Sequence, residues 1–131
     1  NESNPMIIDF YHDYYFFLLK SQNQTLANEI LKKLYDKQKE LKAFVYSPFI
    51  ELELSKLAKD ENDVQKSIDY LLESLLNTRK VKPNDEVKIY YDILNLYDTM
   101  GNKTKKNEYI SKCKEVKDSV DSLYKKMCDE M

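Results

Sequence analysis

One glycine, Gly101, and three prolines are almost all that a chain of 131 residues has to turn on. Tight hairpins between strands rely on Gly, or on Asn-Gly and Asp-Gly pairs, at positive φ. A chain this poor in such residues cannot reverse often between short strands. Hydrophobic residues make up 42% and charged residues 34%, a mixture that suits helices with one apolar stripe and one solvated face. The expected fold class is all-α. The length is that of a single domain with one sizeable core.

The prolines mark helix starts, because the missing N–H costs nothing in the first turn and φ is already helical there. Asn4-Pro5 and Ser47-Pro48 each read as an N-cap followed by Pro, and "KPNDEV" offers Asn84 as a cap with two acids behind it. Polar interruptions at 20–24, 59–63 and 100–103 divide the segments between these starts, which gives six helices.

A shift of 40 residues aligns the three pairs. Phe10, Ile50 and Tyr90 coincide, as do Tyr14, Leu54 and Leu94, then Phe17, Leu57 and Tyr97. On the second helices Ile30, Tyr70 and Ile110 coincide, and in the turns Gln22, Asn62 and Asn102. Steps of 4 and 3 make the first three sets one helical stripe. The units run over 4–43, 46–80 and 84–117, with a C-terminal helix extension over 118–131. In this register Gly101 ends a helix in the left-handed region. Ser21 and Glu61 stand at its place in the other copies, whose turns are expected to close differently.

The third unit resembles a tetratricopeptide (TPR) repeat. Tyr90, Ile93, Tyr97, Gly101, Ile110 and Cys113 fall in order on that family's aromatic, apolar, turn-glycine and small positions. Leu94 and Lys106 depart from it, standing where the family has small residues. Ile50, Leu57 and Tyr70 keep the pattern in the second unit, and Phe10, Phe17 and Ile30 in the first. A period near 40 exceeds the family's usual one of about 34, which leaves HEAT-like hairpins open. The resemblance implies three stacked antiparallel helical hairpins, a TPR-like α-solenoid, with a long C-terminal helix.

Stacked hairpins leave a concave surface lined by their first helices, and such surfaces bind peptides or helices. By resemblance the partner-binding residues are Tyr11 and Tyr15, Glu51 and Ser55, and Lys88, Tyr91 and Asn95. Tyr gives a large contact area at little entropic cost, although these tyrosines read equally well as half-buried packing residues. The implied function is a non-enzymatic adaptor module for a protein or peptide segment, a short apolar or basic one given the tyrosines and Glu51. Two other classes fit the same architecture: the peptide-sensing domain of a bacterial transcription regulator, and a structural subunit of an envelope or motor assembly.

Arg79 is the sole arginine and the net charge is −2, so the chain lacks the basic footprint and the guanidinium forks of nucleic-acid binding. No apolar run approaches the ~20 residues of a membrane span. His12 is the only histidine. With Asp9 and Asp13 it makes a surface cluster and not a catalytic or metal site, for want of a second copy. "KDEND" lacks the glycine and spacing of a calcium loop. No catalytic residue, metal or cofactor is expected.

Cys113, Val116, Val120, Leu123 and Met127 step 3, 4, 3, 4 along the last helix, the spacing of a coiled-coil seam. Such a seam suits either a capping helix or a homodimer through the C-terminal helix. On one continuous helix Cys113 and Cys128 stand roughly 22 Å apart at 1.5 Å per residue, too far to pair. Two unpaired thiols favour a reducing, cytoplasmic setting. A start at Asn1 without Met implies that something preceded it, export included.

Overall fold

The computed structural model describes residues 4–77, 82–116 and 120–129. Asn1, Arg79 and the unit boundaries at 80, 117, 118 and 131 lie outside them. Among the described residues there are seven helices and no strand: α1 (Met6–Lys20), α2 (Gln24–Glu40), α3 (Phe49–Asp60), α4 (Val64–Asn77), α5 (Pro83–Thr99), α6 (Lys103–Val116) and α7 (Ser122–Asp129). The chain is all-α. The closest packing is within α1/α2, α3/α4 and α5/α6, with lighter contact between α2 and α3 and between α4 and α5, while α7 lies on α5 and α6. No described helix is long and apolar enough to cross a membrane.

The three interruptions are all turns, and all close in the same way. Gln22, Asn62 and Gly101 stand at φ 57°, 64° and 74°. In each turn the next N–H reaches back five residues, Asn23 to the Leu18 carbonyl, Asp63 to Ala58 and Asn102 to Tyr97. This is the Schellman closure, which satisfies the last carbonyls of the helix. The same three residues then cap the following helix, their Oδ1 atoms accepting from the N–H groups of Leu26, Lys66 and Lys105. The expectation that Ser21 and Glu61 match Gly101, in turns that close differently, is therefore corrected. Gln22 and Asn62 are the matching residues, and the period is 40 and then 39.

Lys42 ends α2 in the same conformation, at φ 52°. A side chain in the left-handed region costs roughly 1–2 kcal/mol, less for Asn. Gln22→Gly and Lys42→Gly are therefore each expected to stabilise the chain by about 1 kcal/mol in urea unfolding. Gly101→Ala is expected to cost about as much, although no atom lies within 4 Å of the added Cβ. A neutral Gly101→Ala would show that the backbone at Gly101 is not held there.

Two of the expected caps are corrected. Asn4 works as expected, accepting from Met6 N–H at 3.0 Å. Ser47 does not cap α3; the Ser47-Pro48 bond is cis, and its hydroxyl donates to Glu51 Oε1 at 2.6 Å. Asn84 lies inside α5, because Pro83 takes the first helical position after Lys82 at ψ 143°. Its side chain is thereby free to tie down the far end of the chain: Asn84 Nδ2 donates to Asp121 Oδ2 and Asp121 N–H donates to Asn84 Oδ1, at 2.8 and 3.1 Å.

The long C-terminal helix is corrected as well. α6 stops at Val116 and a new helix starts at Ser122, with Lys125 N–H donating to the Asp121 carbonyl in its first turn. The reversal brings Cys113 and Cys128 to a Cα separation of 5.6 Å, joined by a disulfide. Val116, Val120 and Tyr124 pack around that bond and Val87, while Leu123 is 68% exposed. Cys113, Val116 and Val120 of the expected seam are thus taken up within the chain, Leu123 is not, and the pairing removes the reason given for a reducing compartment.

The main core has two parts. Ile8, Tyr11, Tyr15 and Leu18 of α1 meet Ala27, Ile30, Leu31 and Leu34 of α2 together with Ile50 and Leu54 of α3. Ile68 and Leu71 of α4 meet Ile89, Ile93 and Leu96 of α5, with Tyr97 and Tyr109.

Candidate functional site

A cleft of about 690 Å³ opens between α3, α4 and α5. Its apolar floor is Leu52, Leu71, Ile89 and Leu96, and charged residues surround it: Glu53, Lys56 and Lys59 from α3, with Asp85, Lys88 and Asp92 from α5. Such a lining, apolar at the base with a few polar groups at the mouth, is the common form of a binding pocket. The rim exists because α3 and α5 are amphipathic. One stripe of each packs on the preceding helix, and the residues one position further round are left facing the opening.

Four of the seven expected site residues line this cleft: Ser55, Lys88, Tyr91 and Asn95. The other three, Tyr11, Tyr15 and Glu51, are buried. With the 40-then-39 register from the turns, Lys88, Tyr91 and Asn95 correspond to Phe49, Leu52 and Lys56 on α3, which also line the cleft. On α1 they correspond to Asp9, His12 and Phe16. The residues missed by sequence reasoning thus stand one position after the ones chosen, and alignment of the capping Asn23, Asp63 and Asn102 would have found them. Ser55 faces largely inward; its hydroxyl lies 2.7 Å from that of Ser67, and each reaches the other's carbonyl at 2.9 and 2.8 Å.

Aromatic rings continue the surface from the cleft toward α1. Phe49 stacks on Phe16 at 5.5 Å, and His12 stacks on Tyr46 at 3.8 Å between ring centres. Tyr46 donates to Asp9, and that bond, with some burial, pushes its hydroxyl up to about 12. Further round, Tyr35 donates to Glu73 at 2.5 Å. Burial and then this bond hold the Tyr35 hydroxyl far above the usual phenol range. Both phenols stay protonated at neutral pH and act as donors.

Within the cleft, burial raises the carboxyl of Asp92, and Lys88, Lys59 and Lys56 oppose the rise. The folded state therefore holds this proton more tightly than the unfolded chain does. Its contribution is fully present below the ordinary value of 3.8 and is lost as pH rises through the interval above it. Asp92→Asn is expected to remove that slope, so that its stability relative to the parent improves as pH rises above the ordinary value of 3.8. Urea midpoints across that range check it, and parallel curves for the two proteins would refute it.

Among the described residues no group of three or more His, Cys, Asp or Glu is placed to hold a metal ion. Comparison with models of protein families, with curated proteins and with solved structures finds no match for this chain.

Proposed function

We propose that this chain is a non-enzymatic binding module, a TPR-like stack of three helical hairpins closed by α7, which takes a short peptide segment in the cleft of its first helices. The observation that carries this reading is the cleft itself, with its apolar floor and its rim from α3 and α5. The turn register strengthens the resemblance. Leu94 and Lys106, which depart from the family's small positions in the third unit, correspond to Ser55 and Ser67 in the second, where the two helices approach closely enough for mutual hydrogen bonds.

The ligand chemistry follows from the lining. Leu52, Leu71, Ile89 and Leu96 receive an apolar side chain or two, and Asn95, Thr99, the lysines and the carboxylates meet the polar groups of an extended backbone. Because Glu51 is fully buried, it exerts no selection for a basic peptide at the surface. The mixed rim favours a segment carrying both signs of charge around an apolar centre.

A displayed library of random peptides, selected on the immobilised chain, tests this. Enriched peptides are expected to bind at least tenfold more weakly to Lys88→Glu/Tyr91→Ala, a loss of about 1.4 kcal/mol or more. Equal binding to that variant, with its helicity intact, would remove the cleft from consideration.

A further inference from the structure

The first helices are equivalent, yet one of them has a bare face. In the turn register, Phe10, Tyr14 and Phe17 of α1 correspond to Ile50, Leu54 and Leu57 of α3 and to Ile89, Ile93 and Leu96 of α5. On α3 this stripe joins the core made by α1 and α2, and α3 touches α2 besides its own pair partner α4. On α5 it joins Ile68 and Leu71 of α4. On α1 Tyr14 is half-buried against the core, but no helix among the described residues covers the ends of the stripe: Phe10 is 59% exposed, Phe17 62%, and Met6, one turn before Phe10, 70%. Large side chains contiguous along one helix face mark an interaction surface far more often than scattered exposed ones do.

We infer that this face of α1 docks a single amphipathic helix of the kind that α2 and α4 are, supplied by a separate polypeptide. The two covered copies define the occupant. It carries aliphatic residues at helical spacing, as α2 does with Leu31 and Leu34 and α4 with Ile68 and Leu71. Charge adds a second requirement. Between α2 and α4, Glu73 accepts from Tyr35 and pairs with Lys39 at 3.4 Å. In the same register Lys33 stands on α2 where Glu73 stands on α4, so the incoming helix carries a carboxylate where α2 carries Lys39.

A second copy of this chain fits poorly. Its α2 and α4 stripes are already covered by α3 and α5, and α7 lies on α5 and α6. The face is distinct from the α3–α5 cleft, and the inference holds whatever that cleft binds.

The probe is a labelled peptide of residues 23–40, the α2 sequence, stapled between the exposed positions 25 and 29 and carrying Lys39→Glu. The staple removes the ordering cost that makes short helices marginal in water. Fluorescence anisotropy is expected to show saturable binding to the intact chain, at least tenfold weaker to Phe10→Ser/Phe17→Ser, and several-fold weaker for the peptide that keeps Lys39. Circular dichroism of the variant confirms its fold, since both changes are at exposed positions. Absence of saturable binding, or equal affinity for the variant, overturns the inference. So does a chain that sediments as a dimer and becomes monomeric on the double substitution, because a second copy would then occupy the face.

Discussion

Reduction of the Cys113–Cys128 bond is expected to lower the unfolding free energy by about 3 kcal/mol, the loop-closure value for a 15-residue separation. For a domain of this size that amounts to roughly 10 °C in Tm. The effect should concentrate in α7, a helix of only 8 residues, far below the ~12–15 needed for independent stability. Without the bond, α7 is held by Val120 and Tyr124 against Val87, and by the paired contacts of Asn84 and Asp121. Calorimetry with and without reductant, beside the Cys113→Ala/Cys128→Ala variant, measures this. A Tm unchanged by both would mean that the two sulfurs are not joined in solution. A bond of this kind persists in oxidising surroundings, the reverse of what two separate thiols suggest.

Sequence reasoning missed the disulfide because it carried the last helix without a break through the extension over 118–131, with Cys113 and Cys128 on it. The heptad-like steps from Cys113 to Met127 are genuine, but "KDSVDS" between them is rich in residues whose side chains compete for backbone hydrogen bonds and favour caps over helix interiors. The stripe on α6 and the one on α7 face the same small core from two directions, and from periodicity alone that cannot be told from a straight seam.

The helices and their turns were legible for a plain reason. Proline, Gly101 and the polar interruptions leave few other places to break the chain. Which residue faces where was harder to read. α1 carries Phe10, Tyr11, Tyr14, Tyr15, Phe16, Phe17 and Leu18, so nearly every direction offers an apolar side chain and the stripe has no sharp edge. Aligning by aromatics with a constant shift of 40 chose positions on the first two units one residue earlier than the turns do, and so fell on Tyr11 and Tyr15, which are buried. The polar turn residues have a fixed geometric task, and they hold the register better than the apolar ones.

Gln38→Ala is expected to cost roughly 2–4 kcal/mol, because it strips a buried carboxylate of a donor and leaves a cavity. Gln38 and Glu51 are both fully buried where α2 meets α3. Gln38 Nε2 donates to Glu51 Oε1 at 3.1 Å and to Ser47 Oγ at 2.9 Å, and Ser47 donates in turn to Glu51. Nothing in the sequence marks this network, since the two residues lie 13 apart and each reads as a solvated position on its own helix. A polar link inside an apolar contact holds geometry more than it adds stability, since each partner mainly offsets the desolvation of the other. The double variant Gln38→Met/Glu51→Leu is therefore expected to be much less destabilised than the sum of its single changes, with a coupling of at least about 1 kcal/mol in a double-mutant cycle. Additive losses would show that Gln38 and Glu51 do not rely on each other, and the contact between α2 and α3 would then rest on Leu31, Leu34, Ile50 and Leu54 alone.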